Sequence, residues 1–187
     1  MAQKRKDWNG LISGFKASDL VFLDESGCNT DMTRRYAYSL GGSRAVDSAP
    51  LSKPKNTTIL SSIQLDGTLR YTTFSGGTTV ERFKRYLETD LLPHLNGNSV
   101  LIMDNMKSHH ARAVRNLLDS SEVRCIYLPP YSPDLNPIEK LWSKVKSFLR
   151  KFKARTLDAL PNAIQNAFHS VTISDCSGWF RFCGYAL

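Results

Sequence analysis

Three acidic residues stand where carboxylates could gather. Asp24 ends the run DLVFLD, Asp104 ends SVLIMD, and Glu139 lies in PPYSPDLNPIEKLW, with 34 residues between the last two. The first two acids follow short apolar runs with β-strand character, and the third opens an amphipathic helix. Carboxylate oxygens drawn from two strand ends and a later helix suit hard divalent cations such as Mg²⁺. The chemistry of such a set is metal-assisted phosphoryl transfer, with the acids as ligands rather than proton carriers. Three carboxylates held close raise one another's pKa unless a counter-ion is present, and a divalent cation removes that cost. A first-turn position also favours ionised Glu139, because a helix N-terminus carries partial positive charge.

Each acid has a plainer reading beside this one. Asp24 and Asp104 suit strand-ending turns, where Asp is common. Asn136, Pro137 and Glu139 read as N-cap, first helical position and N3, close to a capping box in which Glu139 reaches back to the cap amide. Ligation and capping remain compatible if the Glu139 side chain rotates on binding metal.

The elements that must position the acids are legible in outline. Residues 1–17 carry no periodic signal and read as a short basic arm. Leu20 to Leu23 reads as a buried strand, RRYAYSLGG (34–42) as a second strand, and SRAVDSAPLSKPKN as a loop. TTILSSIQ is β-branched, and an Asp-Gly turn in LDGT leads into LRYTTF, so 57–74 predicts a hairpin. Val80, Phe83, Leu87 and Leu91 repeat at helical spacing, with Pro93 and Gly97 as punctuation. Val100 to Met103 and VRCIYL predict two more strands, with a helix marked by Ala111, Val114 and Leu118 between them. Helices follow over about 137–152 and 157–170. The first buries Ile138, Leu141, Trp142, Val145, Phe148, Leu149 and Phe152 on one face; the second uses Leu157, Leu160, Ile164 and Phe168. The aromatic tail, 171–187, is expected to pack on the domain. Antiparallel strands followed by alternating helix and strand predict an α/β layered domain.

Composition points to an acidic partner. The chain has 187 residues, a net charge of +8 and a pI near 9.4, which favours nucleic acid. Lys140 to Arg155 holds seven Lys and Arg and no Asp or Glu. On the helix after Pro137, Ser143, Lys146 and Arg150 share the stripe of Glu139, an arrangement suited to a phosphodiester beside metal. Such a run also suits a plain solvated face. Among the histidines, His109 and His110 follow Asp104 and Asn105 in DNMKSHH, where they could position a water or DNA, or brace the start of a helix. Tyr131 and Ser132 have no neighbouring base that would make them nucleophiles, and they are expected to shape the loop presenting Glu139. The four cysteines form no C-x-x-C pair, which argues against a zinc site of ordinary spacing and fits a reducing compartment. No leader-like apolar segment follows the basic N-terminus, and LVFL and VLIM are too short to span a bilayer.

The residues DESG (24–27), MDNMKSHH (103–110) and YLPPYSPDLNPIEKLWSKVK (127–146) together resemble the catalytic domain of DDE transposases. The chain is most similar to the insertion sequence 630 family, the bacterial relatives of mariner transposases, over roughly residues 18–170. The resemblance implies a ribonuclease H-like mixed sheet flanked by helices. It implies Asp24, Asp104 and Glu139 as ligands of two Mg²⁺, with Mn²⁺ substituting, and Asn105, His109 and His110 as candidate accessory residues. Transposon ends and target DNA, joined at a TA dinucleotide, would be the substrates, in the bacterial cytoplasm. The helix-turn-helix modules that precede this domain in the family have no counterpart in these residues, so an upstream-encoded DNA-binding portion is expected, with a homodimer as a candidate assembly. Two other classes stay open: a structure-specific nuclease on the same fold, and a non-catalytic DNA-binding remnant.

Overall fold

The computed structural model describes residues 2–34, 36–51 and 54–185. Met1, Arg35, Ser52, Lys53, Ala186 and Leu187 lie outside the described residues, and with them parts of the expected arm, second strand, loop and tail.

The apolar runs become the centre of one five-stranded sheet. Its strands are β1 (Leu20–Cys28), β2 (Thr57–Ile63), β3 (Leu69–Ser75), β4 (Val100–Met103) and β5 (Arg124–Tyr127), in the order β3-β2-β1-β4-β5. β1, β2 and β3 are antiparallel, whereas β4 and β5 run parallel to β1. Leu23 pairs with Met103, so the residues after them lie level on neighbouring chains: Asp104 just past the end of β4, and Asp24 still inside β1, where it pairs with Ser61 of β2 and so does not end the strand as its sequence suggested. The β2–β3 hairpin turns at Gly67, whose φ of +89° is cheap only for glycine, and an added Cβ there would meet the Ile173 side chain at 3.0 Å.

Helices cover both faces of the sheet. They are α1 (Ala2–Ile12), α2 (Val80–Tyr86, continued by a π-helical turn at Leu87–Leu91), α3 (Arg112–Ser120), α4 (Ile138–Phe152), α5 (Ala159–His169) and α6 (Ile173–Phe182). On one face Phe22, Ile59, Ile63, Val100 and Ile102 pack against α4, α5, α6 and Trp8 of α1. On the other, Val21, Leu23, Leu60, Leu101 and Met103 pack against α2 and α3 through Phe83, Leu87, Val114 and Leu118. Burial on both faces explains why LVFL and VLIM are unbroken apolar runs instead of alternating ones. Each such side chain contributes roughly 1.5–3 kcal/mol by leaving water. At the C-terminal end Phe180 meets Phe22 edge-on at 5.4 Å, and Tyr185 donates its hydroxyl to the Leu135 carbonyl at 2.5 Å. Among the described residues no helix is long and apolar enough to cross a membrane.

Four expectations are corrected. The described residues of RRYAYSLGG form no strand; Tyr36 and Tyr38 are exposed on the long β1–β2 connection, where their alternation meets no partner strand. The aperiodic N-terminal stretch forms α1, held by tertiary contacts: buried Trp8, partly buried Ile12 on the same core, and an ion pair from Arg5 to Asp134. Phe152 is exposed, since at the end of α4 the sheet no longer lies beneath it. Leu157 is likewise exposed and precedes α5, which starts at Ala159.

Candidate active site

β1, β4 and the first turn of α4 converge on a cleft of about 440 Å³. Its lining includes Asp24, Asp104, Asn105, Tyr131, Asn136 and Glu139. The structure therefore brings the three predicted acids to one place. They do not close into a ready-made metal cluster, and among the described residues no group of three or more His, Cys, Asp or Glu side chains does.

The surroundings of each acid differ. Asp24 accepts hydrogen bonds from the Glu25 amide (2.7 Å) and from the indole Nε1 of Trp142 (3.1 Å). Burial pushes its pKa up to about 7, and the charges of Glu139 and Asp104 add to the rise, against the lowering from those two donors. Trp142 lies on the core face of α4, as its spacing predicts, yet its polar edge also holds a site carboxylate. Apolar periodicity gave no sign of that second role.

Asp104 is half-exposed and meets a cation. Its Oδ1 lies 2.9 Å from His109 Nδ1 and accepts the Met106 amide at 3.0 Å. Burial acts to raise the Asp104 carboxyl, but His109 and the Met106 amide outweigh it and hold the group below its ordinary range. For His109 burial acts downward, but the carboxylates of Asp104 and Glu25 on its two ring nitrogens raise it to about 9. The imidazole is fully buried. It faces away from solvent, so the reading in which it positions a water or DNA is corrected. His110 packs against Tyr127 at 4.2 Å and lies 3.3 Å from Asn105 Oδ1, while Asn105 Nδ2 donates to the Leu128 carbonyl at 2.5 Å. These two residues tie the loop after β4 to the loop after β5.

Glu139 is exposed in the cleft. The expected capping box does not form: α4 has no side-chain cap bond, and Asn136 Oδ1 is buried without a partner among the described residues. The helix begins instead on backbone bonds, Glu139 N to Asn136 O and Lys140 N to Pro137 O. The Glu139 carboxylate is thus left to the cleft. The loop before it contains Tyr131 in left-handed backbone (φ 55°), exposed at the cleft mouth, and buried Ser132.

The candidate phosphate-binding residues fall in two places. Lys146 and Arg150 line a groove with Gly27, Cys28, Asn29, Asp31, Met32 and Thr33. Ser143 lines another, beside Lys140, Lys144, Ser147 and Lys151. The predicted stripe is therefore parted by the helix ridge. Glu25, which the sequence reading passed over inside DESG, joins the site through His109 at 3.7 Å, an ion pair rather than a hydrogen bond.

Several known proteins share this sequence or architecture. The Tc1 transposase of Caenorhabditis elegans is 30% identical over 97 residues, covering 50% of this chain and 36% of that protein. A pre-cleavage Mos1 transpososome superposes with a TM-score of 0.81 at 19% identity, over 97% of this chain and 58% of that one. A Mos1 mariner paired-end complex with Mn gives 0.79 at 21% identity, over 95% and 57%. The chain thus spans between about one third and three fifths of the length of these relatives. The superpositions show the expected ribonuclease H-like fold. Residues 19–161 match the DDE superfamily endonuclease family as a continuous segment, and the chain belongs to that superfamily.

Proposed function

We propose that this chain is the catalytic part of a transposase that cuts DNA at transposon ends and joins the freed 3′ ends to target DNA. The observation that carries this reading is the convergence of Asp24, Asp104 and Glu139, from β1, β4 and α4, on one cleft. The donor set fits divalent metal. All three groups offer hard oxygens, Asp24 is held at a pKa of about 7 by burial and by its acidic neighbours, and Glu139 makes no capping bond. Asp24, Asp104 and Glu139 are the residues that would hold two Mg²⁺, or Mn²⁺ in their place. Bound there, the cations would supply charge neutralisation at the phosphodiester and activation of the attacking hydroxyl.

The chain's own residues set the rest. Trp142 and the Glu25 amide fix the Asp24 carboxylate, and Asn105 and His110 lock the loop that follows Asp104. Lys146 and Arg150 offer cations to backbone phosphates on one side of α4, and Ser143 with its lysine neighbours on the other. Residues 18–170 carry the chemistry in this reading, with α1 and α6 as braces. The long motif PPYSPDLNPIEKLW supports membership of the bacterial insertion sequence 630 line. Phosphate contacts position a protein on DNA, while base-edge contacts specify sequence. End recognition would therefore come from a helix-turn-helix portion, and pairing of two ends from a second copy.

The test is an assay of nicking and joining on duplexes carrying or lacking a transposon end, with Mg²⁺ and with a chelator. Metal-dependent nicking plus a joined product supports the transposase. Nicking without joining favours a nuclease, and binding without either favours a non-catalytic remnant. With this chain alone, end and scrambled duplexes should be cut at similar, low rates.

A further inference from the structure

Behind the cleft lies a buried charge cluster that the three-acid reading does not use. Asp24 and Glu25 are adjacent in a strand, so their side chains leave opposite faces of the sheet. Asp24 turns toward Trp142 of α4, and Glu25 toward the face covered by α2 and α3. There His109 is wedged between two carboxylates, with Nδ1 2.9 Å from Asp104 Oδ1 and Nε2 3.7 Å from Glu25 Oε2. Its ring stacks on Phe83 at 4.3 Å and 25°, and its carbonyl accepts the Tyr127 hydroxyl at 3.2 Å. The imidazole is fully buried, and the Glu25 side chain is 12% exposed. Glu25 Oε2 and His109 Nε2 have no hydrogen-bond partner among the described residues, so each has the other as its nearest compensation.

This arrangement is costly as a packing device, because a buried ion pair is often no better than apolar residues of the same volume. What it does achieve is orientation. His109 Nδ1 is hydrogen-bonded to the Asp104 main-chain carbonyl at 3.2 Å and ion-paired with its Oδ1, which also accepts the Met106 amide, and this leaves Oδ2 as the oxygen free for the cleft. We infer that His109, braced from behind by Glu25, is a positioning residue that fixes the Asp104 carboxylate for cation binding. The inference rests on the divalent-cation reading of the cleft. It assigns Glu25 a part in the site although Glu25 does not line the cleft.

The experiment measures the Mg²⁺ or Mn²⁺ concentration that gives half of the metal-induced rise in melting temperature, and the concentration for half-maximal DNA nicking, in the whole purified chain. Groups that orient metal ligands typically matter by about 10–100-fold in metal affinity or activity. His109→Ala should raise both midpoints within that range. His109→Gln, which keeps a donor, should fall between Ala and the native chain. Glu25→Gln, nearly isosteric and safe for folding, should shift both midpoints in the same direction by less. DNA affinity in chelator should not change in any of the three. Phe83→Leu reports the packing role alone: it should lower the melting temperature in chelator and leave the metal midpoints where they are.

If the His109 and Glu25 variants lose stability in chelator but keep native metal midpoints, the positioning role is overturned and the cluster is structural. Should His109→Ala fail to fold, Glu25→Gln decides by the same criterion. Asp104→Ala separates the two levels of the argument. Loss of its metal response upholds the cation reading even where the positioning role fails; a native response would remove both.

Discussion

Asp24, within β1, and Asp104, just past the end of β4, lie level on adjacent parallel strands and face the same cleft, so their ordinary ionisation would be expected to match. Their surroundings make it differ. Asp24 has neutral donors, a peptide amide and an indole, and burial with two nearby acids lifts it to about 7. Asp104 has the His109 imidazole against one oxygen and stays below the carboxylate range. The comparison shows that burial alone does not set a site carboxylate; the charge behind it does. One side of this cleft is compensated from within the protein. The other side carries a charge whose natural relief is a cation entering from solvent.

The largest effect should come from deleting either member of the pair, or the third acid. Asp24→Ala, Asp104→Ala and Glu139→Ala should each bring Mg²⁺-dependent nicking down to background while circular dichroism stays native. An Ala variant that still nicks at a near-native rate would remove that residue from the ligand set. Metal binding should also be visible without DNA, since only the folded chain gathers these oxygens. A hundredfold excess over Kd stabilises by about 2.7 kcal/mol. The melting temperature should therefore rise with Mg²⁺ or Mn²⁺, and an Asp24→Asn, Asp104→Asn double variant should lose the rise. An equal rise in both proteins would place the metal elsewhere.

Without metal, the two single Asn substitutions should act with opposite sign. A carboxyl whose folded pKa is raised disfavours folding once it must ionise. The native chain loses stability as pH climbs from the unfolded value near 4 through about 7, and the full penalty applies above that. Asp24→Asn should accordingly stabilise at pH 8 by about 1–3 kcal/mol, and the gain should vanish as pH falls toward 4. Asp104→Asn removes a counter-charge from the buried His109 and should destabilise at neutral pH by about 1–3 kcal/mol, less than for a fully buried pair because Asp104 reaches solvent. Thermal melts in chelator across this pH range check both. The same sign for the two variants would break the comparison.

How much of this was legible in the sequence follows from the range of the forces involved. The strand at Met103, the hairpin at Gly67 and the α4 core face as far as Leu149 are written in local periodicity and turn chemistry and form as read, while β1 runs on past Leu23 to Cys28 and Phe152 falls off the core. The strand expected at RRYAYSLGG fails because alternation marks a strand only where a sheet edge is there to receive it. The capping box at Asn136 fails for a related reason. The segment fits the motif, but Pro133–Leu135 forms a tight turn that leads into α4 on backbone bonds alone. The three acids are legible through their motifs and through the apolar runs and helix start beside them. Glu25, Trp142 and the inward turn of His109 are not. They depend on contacts between residues 84 and 118 positions apart, which a single sequence does not display.

The smallest effect, and the one that extends the comparison outward from the cleft, concerns the cations on α4. Lys146 and Arg150 face the groove formed with Gly27 and Cys28, the last residues of β1, and with Asn29, Asp31, Met32 and Thr33 that follow it, further along the same strand from Asp24. Ser143 lies across the ridge, in a groove with Lys140 and Lys144. If DNA reaches the cleft along the first groove, Lys146→Glu and Arg150→Glu should weaken binding to any duplex and flatten its salt dependence. Each lost phosphate contact lowers the slope of log K against log salt by about 0.9. Ser143→Ala should leave that slope unchanged, since a neutral hydroxyl releases no counter-ion. Titrations of one duplex at several salt concentrations separate the grooves. An unchanged slope in the Lys146, Arg150 double variant, with a reduced one in Lys140→Glu, Lys144→Glu, would route the backbone along the opposite side of α4. Glu139 would then be approached from the side of Asp175 and Trp179 instead of from the end of β1.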